Sequence, residues 1–493
     1  MATSERVEYG DWQTPDDLAS RVLTCVLSRL CLPPGHVLEP TCGKGSFLAA
    51  AARQLPNARL EGYEINPEYA KIAASRIDPA RRNVRVADFF SVDWDDVVVR
   101  AERPLLVLGN PPWVTSSDLG ALASRNLPAK RNIKGLVGLD ARTGKSNFDV
   151  CEWMIIRLLR ALAHVGAEAT LAMLCKSAVA RRVVEFSARQ SWPVVPGAVW
   201  RVDASRHFNA AVDAVLFMCR ISPELHAGPR SWPVYPSLEA THPDSSFGVV
   251  DGTLVADPEA YTRTISISGD CSPEWRSGLK HDCSRVMELE RRGDAWVNAS
   301  GSPVDIEPEF RYPLLKSSDV ANGRLSCERS VIVPQRALGE DTSTLRGRAP
   351  KLWAYLSSHR DALAERKSSI YRGQPAFSIF GIGEYSFSPW KVAVSGLYKR
   401  LQFRVVGPCD GRPVMVDDTC YFLPFTEEED ARRAALALES ELAGEFFRGR
   451  VFWDAKRPIN KSILQALDLQ RLLVALGWRS PEPIRPVQQF FGF

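Results

Sequence analysis

No stretch of this 493-residue chain is apolar for long enough to span a membrane, and its opening, MATSERVEYGDWQTPDDLA, has no hydrophobic centre of the kind a secretory signal needs. A soluble cytosolic protein, with no membrane partner, is therefore expected. The eleven cysteines are odd in number and never spaced as CxxC, which speaks against a disulfide framework or a zinc site and leaves no structural metal expected. Charge of one sign is scarce too: 62 Lys and Arg against 58 Asp and Glu give a net charge of only +4. A nucleic-acid partner would have to meet a local basic surface rather than an overall excess. Internal repeats and long low-complexity tracts are lacking. The glycine-containing GKGS at 43–46 has no GxxxxGK[ST] spacing, which disfavours phosphate binding of the P-loop kind.

What is present is a large apolar content, 45% of residues, in a chain long enough for two or three domains. Up to about residue 222, short apolar runs alternate with helical patterns: HVLEP then SFLAAAARQL, RLEGYEI then EYAKIAASRI, VRVADFF, and PLLVLGNPPW. A periodic helix follows, with Phe148, Cys151, Ile155, Leu158, Leu159 and Leu162 on one face, and after it EATLAML. Strands alternating with helices imply βαβ units, hence an α/β fold with a mostly parallel, doubly wound sheet. From about 223, ISPELHAGPRSWPVYPSLEATHPDSSFG is rich in Pro, Ser and Gly and reads as an interdomain connection. Two domains are expected, 1–228 and 229–493, the second a mixed α+β unit with helical stretches near 350–365 and 427–446.

VLEPTCGKGSFLAAA has the pattern of a strand, a glycine turn and a helix start. Gly43 and Gly45 would let backbone come close to a ligand, with helix-start amides nearby. Nineteen residues after Gly45, Glu64 closes the next strand, where a ribose-hydroxyl partner belongs in a nucleoside-binding doubly wound sheet. A third strand ends at Asp88 and Phe89, a carboxylate and an aromatic that suit the amino group and face of an adenine.

Leu105–Leu108 then runs into Asn110-Pro111-Pro112-Trp113. Two prolines fix an extended, stiff backbone at the strand's end. The Asn110 side-chain oxygen and the Pro111 carbonyl become a pair of fixed acceptors. Two acceptors on one exocyclic NH2 orient both N–H bonds and leave the nitrogen lone pair facing a methyl donor. Trp113 offers a stacking surface worth roughly 1–3 kcal/mol per base, against the few kcal/mol needed to extract a base from a duplex.

These motifs and their order resemble the gamma-class, S-adenosylmethionine-dependent amino-methyltransferases that act on DNA. GDWQTPDDLA resembles the opening motif, whose Thr14 and Pro15 would close over the cofactor. EPTCGKG (Glu39, Pro40, Cys42, Gly43, Gly45) resembles the loop for its methionine moiety. EIN (Glu64, Ile65) resembles the ribose acid motif, ADFF (Asp88, Phe89) the adenine clamp, and NPPW the catalytic tetrapeptide. GKSNFDV, around Asn147, resembles the next motif, and RHFNAAVDAVLFM a late one whose Phe208 packs against the flipped base. The resemblance covers about the first 220 residues. It implies a Rossmann-like class I methyltransferase domain, S-adenosyl-L-methionine as cofactor, and direct attack of the amine on the methyl sulfonium with no covalent base adduct. Base flipping from double-stranded DNA, a bacterial cytosolic setting and a possible separate restriction endonuclease are implied as well. Trp113 stands where the family more often has Tyr or Phe, and Lys44 is unusual in the glycine loop.

The second half contains EWRSGLKHDCSRVMEL, YPLLKSSDV, FSIFGIGEYSFSPWKVAVSGLYKR and FWDAKRPINKSIL, which resemble target-recognition segments of that family. Between 359 and 404, basic residues interleave with Tyr371, Phe377, Tyr385, Phe387, Trp390 and Tyr398, a combination suited to phosphate and groove contact. Lys280, Lys316, Arg372, Lys391 and Lys399 are the candidate DNA contacts. Adenine-N6 methylation for restriction–modification or phage defence is the leading reading. N4-cytosine methylation needs the same site chemistry, and a non-catalytic DNA specificity subunit is the non-enzymatic alternative. No spaced Asp…Asp/Glu-x-Lys cluster supports a fused nuclease.

Overall fold

A computed structural model describes residues 13–114, 149–166, 168–222, 230–455 and 457–478. The chain divides into two units, Met1–Pro258 and Glu259–Phe493.

In the first unit, helix α1 (Asp16–Leu27) leads into β1 (His36–Glu39), α2 (Ser46–Gln54), β2 (Arg59–Glu64), α3 (Pro67–Ser75), β3 (Arg82–Val86), α4 (Trp94–Arg100) and β4 (Leu105–Gly109). It continues with α5 (Val150–Val165), β5 (Ala169–Lys176), α6 (Ser177–Arg189), β6 (Val194–Val202), α7 (Ala204–Phe208) and β7 (Ala214–Ile221). Three more strands follow, β8 (Arg230–Tyr235), β9 (Ser245–Val250) and β10 (Thr253–Val255). All ten strands form one sheet in the order β10-β9-β8-β6-β7-β5-β4-β1-β2-β3. β3, β2, β1, β4 and β5 run parallel, and β7 enters antiparallel between β5 and β6. This is the mostly parallel α/β sheet that the alternating sequence pattern implies, in the Rossmann-like class I methyltransferase form that the family resemblance implies.

Burial follows position in the sheet. β1 and β4 are buried at every residue, as central parallel strands covered on both faces must be, whereas β3 at the edge is largely exposed. Helices α1, α2 and α3 pack as one group and α4, α5 and α6 as another. Local chemistry starts the helices: the Asn66 side chain accepts from Glu68 N and Tyr69 N ahead of Pro67, and Asp149 and Asp203 cap α5 and α7. Of the expected apolar face of α5, Cys151, Ile155, Leu158, Leu159 and Leu162 are buried, while Phe148 lies outside the described residues.

The interdomain connection expected from 223 onward is different in the structure. β8 and β9 form an antiparallel hairpin whose Trp232 and Phe247 are buried and stacked, with ring centroids 6.2 Å apart. The first unit therefore extends to 258 rather than 228. Pro233 and Gly248 lie inside these strands, and such residues usually punctuate rather than build a sheet.

The second unit, a mixed α+β assembly as expected, holds two sheets. β11 (Arg276–Ser277), β16 (Trp390–Ser395), β17 (Arg404–Val406) and β19 (Cys420–Phe425) make an antiparallel sheet in the order β11-β19-β16-β17. β12 (Glu288–Arg292), β13 (Ala295–Val297), β14 (Arg311–Leu315), β15 (Arg329–Ile332) and β18 (Met415–Val416) make the other, ordered β13-β12-β15-β14-β18. Helices occur at Pro350–Ser358, Arg360–Ala364, Glu428–Leu438 and Glu441–Arg450, in the stretches read as helical.

Candidate active site

The order of strands reverses direction between β1 and β4, and ligands in such sheets bind outside the carboxyl ends of the strands at that crevice. Two motifs meet there. A Cβ placed on Gly109, the last residue of β4, would come within 3.8 Å of both the Glu39 and Pro40 side chains at the end of β1. The glycine loop and Asn-Pro-Pro-Trp thus lie side by side.

The glycine loop owes its shape to two left-handed residues, Gly43 at φ 52° and Gly45 at φ 79°. A side chain at Gly45 would collide with Ala73 of α3, and one at Gly43 with the Gln13 amide. The Glu64 carboxylate braces the loop, accepting from Gly43 N and from Asn66 N, each at 2.8 Å. Ile65, beside it, is 39% exposed although apolar. Cys42 is buried under the loop against Gly62, and burial pushes its thiol pKa up. Glu39 is buried as well, and loss of solvation raises its carboxyl well above the usual range, opposed by a bond from the Leu48 backbone. Its Oε2 has no hydrogen-bond partner among the described residues.

Ahead of α1, residues 13–15 reach both motifs. Gln13 Oε1 accepts from Lys44 N at 3.0 Å, and Thr14 Oγ1 accepts from Asn110 Nδ2 at 3.2 Å. Pro15 then occupies the N-cap of α1. Lys44 extends its ammonium over the Tyr69 ring. At the rim, Ala87 N donates to Glu64 O, which brings the ends of β2 and β3 together, and exposed Asp88 accepts from Phe90 N. Phe89 is buried, and its ring packs on Trp94 with centroids 4.7 Å apart.

In the tetrapeptide, Pro111 is buried, while Asn110 and Pro112 are half-buried. Trp113 is only 7% exposed; its Nε1 donates to Leu174 O at 3.3 Å, and its ring meets Phe208 edge-on at 5.1 Å. Phe208, 95 positions downstream in sequence, is held there at the end of α7. Sequence reasoning missed three polar groups: Gln13 over the loop, and Asp149 and Lys176 behind the tetrapeptide. Lys176 Nζ donates to Trp113 O at 3.0 Å and to Asp149 Oδ2 at 2.7 Å. Burial raises the Asp149 pKa, an effect that Lys176 opposes. The available signal was a lysine ending a strand that is otherwise buried throughout. Asn147 lies outside the described residues.

The five candidate DNA contacts are not alike. Arg372 and Lys399 are exposed. Lys280 is paired with Asp282 and Asp418, and Lys316 with Glu288 at 2.6 Å. Lys391 is 1% exposed and donates to Ser388 O inside the sheet, so it presents no charge to a phosphate. Its strand is buried on both faces, which the interleaved sequence pattern did not reveal.

Over 474 residues, 95% of this chain and 97% of the relative, the sequence is 42% identical to the type II methyltransferase M.NspV of Nostoc sp.. A shorter match, 115 residues at 32% identity, is to the type II methyltransferase M.CvrRI of Paramecium bursaria Chlorella virus XZ-6E, over 23% of this chain and 27% of that protein. The solved structure of the type IIL restriction–modification enzyme MmeI in complex with DNA matches with a TM-score of 0.55 at 13% identity. That match covers 94% of this chain and 69% of MmeI, and is a likeness of fold. No family model matches. With near-full-length identity of that size joined to the strand order and the paired motifs at the switch point, the chain belongs to the type II methyltransferase family.

Proposed function

We propose that this chain transfers a methyl group from S-adenosyl-L-methionine to the exocyclic N6 of an adenine turned out of duplex DNA at a specific sequence, in restriction–modification or phage defence. The observation that carries this reading is the adjacency of Gly109–Asn110 to Glu39–Pro40, with Thr14 bonded to Asn110 and Gln13 to the glycine loop. The residues present suit the cofactor. Glu39 has a buried oxygen in want of a donor, which the methionine ammonium would supply. Gly43 and Gly45 form a turn that side chains would fill, and Ile65 offers an exposed apolar surface at the rim. Glu64 ends β2 with its carboxylate against the glycine loop, the place where it would accept from ribose hydroxyls.

When bound, the cofactor supplies an electrophilic methyl group on a sulfonium. The protein's part is to aim the nucleophile. Because Asn110 Nδ2 donates to Thr14, Oδ1 is the opposite end of the amide, and with the Pro111 carbonyl it would accept both N–H bonds of the target amine. That holds the amine lone pair toward the methyl group and strengthens it as a nucleophile, a preorganised electrostatic contribution. Trp113 and Phe208, already in contact, would border the base. The relatives support the DNA reading: M.NspV is described as a type II methyltransferase, and MmeI as a type IIL restriction–modification enzyme seen in complex with DNA. A separate cognate endonuclease is the partner such a role implies.

Incubation with tritium-labelled cofactor and unmodified genomic DNA tests the reading, followed by identification of the labelled nucleoside. N6-methyladenine is expected; N4-methylcytosine would replace the target base, and no label would refute DNA methylation. Asn110→Ala should lower transfer by roughly 10²–10³-fold or more while cofactor affinity stays within tenfold.

A further inference from the structure

We infer that Lys176 is a positioning residue for the methyl-transfer site, its ammonium fixing the Trp113 carbonyl and thereby the attitude of the Asn110–Trp113 corner. The inference rests on the methyl-transfer reading above.

The need for such a group begins with the sequence. Pro111 and Pro112 have no N–H, so two consecutive residues of the corner can donate nothing to neighbouring strands. A segment that must hold an amine to within a fraction of an ångström is then fixed through its carbonyls and side chains. β5 provides both anchors. Leu174 O accepts from the Trp113 indole at 3.3 Å, and two residues on, Lys176 Nζ donates to the Trp113 carbonyl at 3.0 Å. Side chains two apart on a strand share a side, but here one anchor is a carbonyl and the other an ammonium, so the strand holds the residue at both its ring and its backbone.

The ammonium is itself held. Asp149 Oδ2 lies 2.7 Å from Nζ, and Asp149 Oδ1 accepts from Cys151 N as the cap of α5, so the acid cannot swing away without uncapping the helix. Val150 N donates to Val114 O at 2.9 Å and ties the chain just past the tetrapeptide to the same cap. Charge-assisted bonds of this kind are the stronger class. Nothing in the arrangement requires Lys176 to touch the base or the cofactor.

The full-length protein with Lys176→Met, Lys176→Arg and Asp149→Asn tests this, on DNA that the unaltered protein labels. Single-turnover transfer, cofactor affinity by calorimetry, and Tm are read together. Lys176→Met is expected to lower the transfer rate by roughly 100-fold, with cofactor affinity changed less than about threefold. Lys176→Arg, which keeps the cation and donors, should recover to within about tenfold of the unaltered rate. Asp149→Asn keeps the cap acceptor but loses the brace, and should show a smaller fall in the same direction. Transfer by Lys176→Met within about threefold of the unaltered protein would overturn the inference. So would equal losses of transfer, cofactor affinity and Tm with no recovery by arginine. If Lys176→Met does not fold, Asp149→Asn decides: an unchanged rate overturns the proposal. Absence of labelling by the unaltered protein would instead strike at the methyl-transfer reading itself.

Discussion

A lysine whose ammonium lies inside a sheet carries a penalty that a surface lysine does not. Lys391 Nζ has Ser388 O at 2.7 Å and the Phe422 ring centroid at 5.6 Å, and burial lowers its pKa to about 7. In the unfolded chain a lysine titrates near 10.4. Between these values the unfolded state binds more protons than the folded one, so stability rises with pH across the window. The sign is opposite to that of an ion-paired lysine. At about pH 7 and below, the whole cost of the buried amine is present; above about pH 10 it is gone. Lys391→Met keeps the length and removes the amine. It should stabilise the second unit by a few kcal/mol near neutral pH, on the order of 1.4 kcal/mol per unit of displacement, with the gain shrinking as pH approaches 10. Denaturant unfolding at several pH values checks this, and a gain that did not vary with pH would remove the ammonium as its source. The same residue shows what sequence could not convey. Lys391 and Lys399 look equivalent in a run of mixed basic and aromatic residues, yet one is core and the other surface.

Elements differ in how much of themselves they declare. β1, β4 and α5 were readable because buried parallel strands are short apolar runs and a packed helix repeats its apolar positions. Asp88 and Glu64 were readable as strand-end acids, but the direction of the Phe89 ring was not, because it is set by Trp94 on the following helix. β16 is buried on both faces and so shows no alternation to read. The connection from β16 to β17 behaves in the opposite way. Buried Ser395 accepts at Oγ from Leu397 N and Tyr398 N, which shapes a tip where Leu397 is 44% and Tyr398 38% exposed, followed by exposed Lys399 and Arg400. Apolar surface beside two cations suits a nucleic-acid groove, the cations on phosphates and the tyrosine against sugar or base. If duplex DNA is the partner, Lys399→Ala and Arg400→Ala should each weaken binding on all sequences and reduce the slope of log K against log salt by about 1. Leu397→Ala with Tyr398→Ala should weaken binding at an unchanged slope. Fluorescence anisotropy across a salt series separates the two, and unaltered affinity in all three variants would exclude this tip from the DNA interface.

At the scale of the whole molecule, where the first unit stops follows from what β6 needs beside it. Trp200 and Tyr235 stack at 5.5 Å with the Arg29 guanidinium over the Tyr235 ring, and Trp232 lies between Phe217 and Phe247. Sequence reasoning placed the end at 228 because proline, serine and glycine crowd the stretch that follows; packing moves it to 258, since the aromatic residues interspersed there complete a core begun by Trp200 and Phe217. A chain cut after 228 would leave β6 with an unpaired edge and uncover Trp200 and Phe217, each of which is fully buried in the intact unit. Loss of burial for one large apolar side chain costs about 1.5–3 kcal/mol, several such losses approach the total stability of a domain, and an exposed hydrophobic edge invites pairing between chains. A chain cut after 258 retains the ten-stranded sheet and every motif proposed to hold the cofactor. The shorter fragment should therefore aggregate or melt well below the longer one, and the longer should bind S-adenosyl-L-methionine while losing sequence-selective methylation. Light scattering, thermal melting and calorimetry on the two fragments decide it: a 1–228 fragment as stable and as soluble as 1–258 would mean that β8–β10 ornament the sheet rather than complete it.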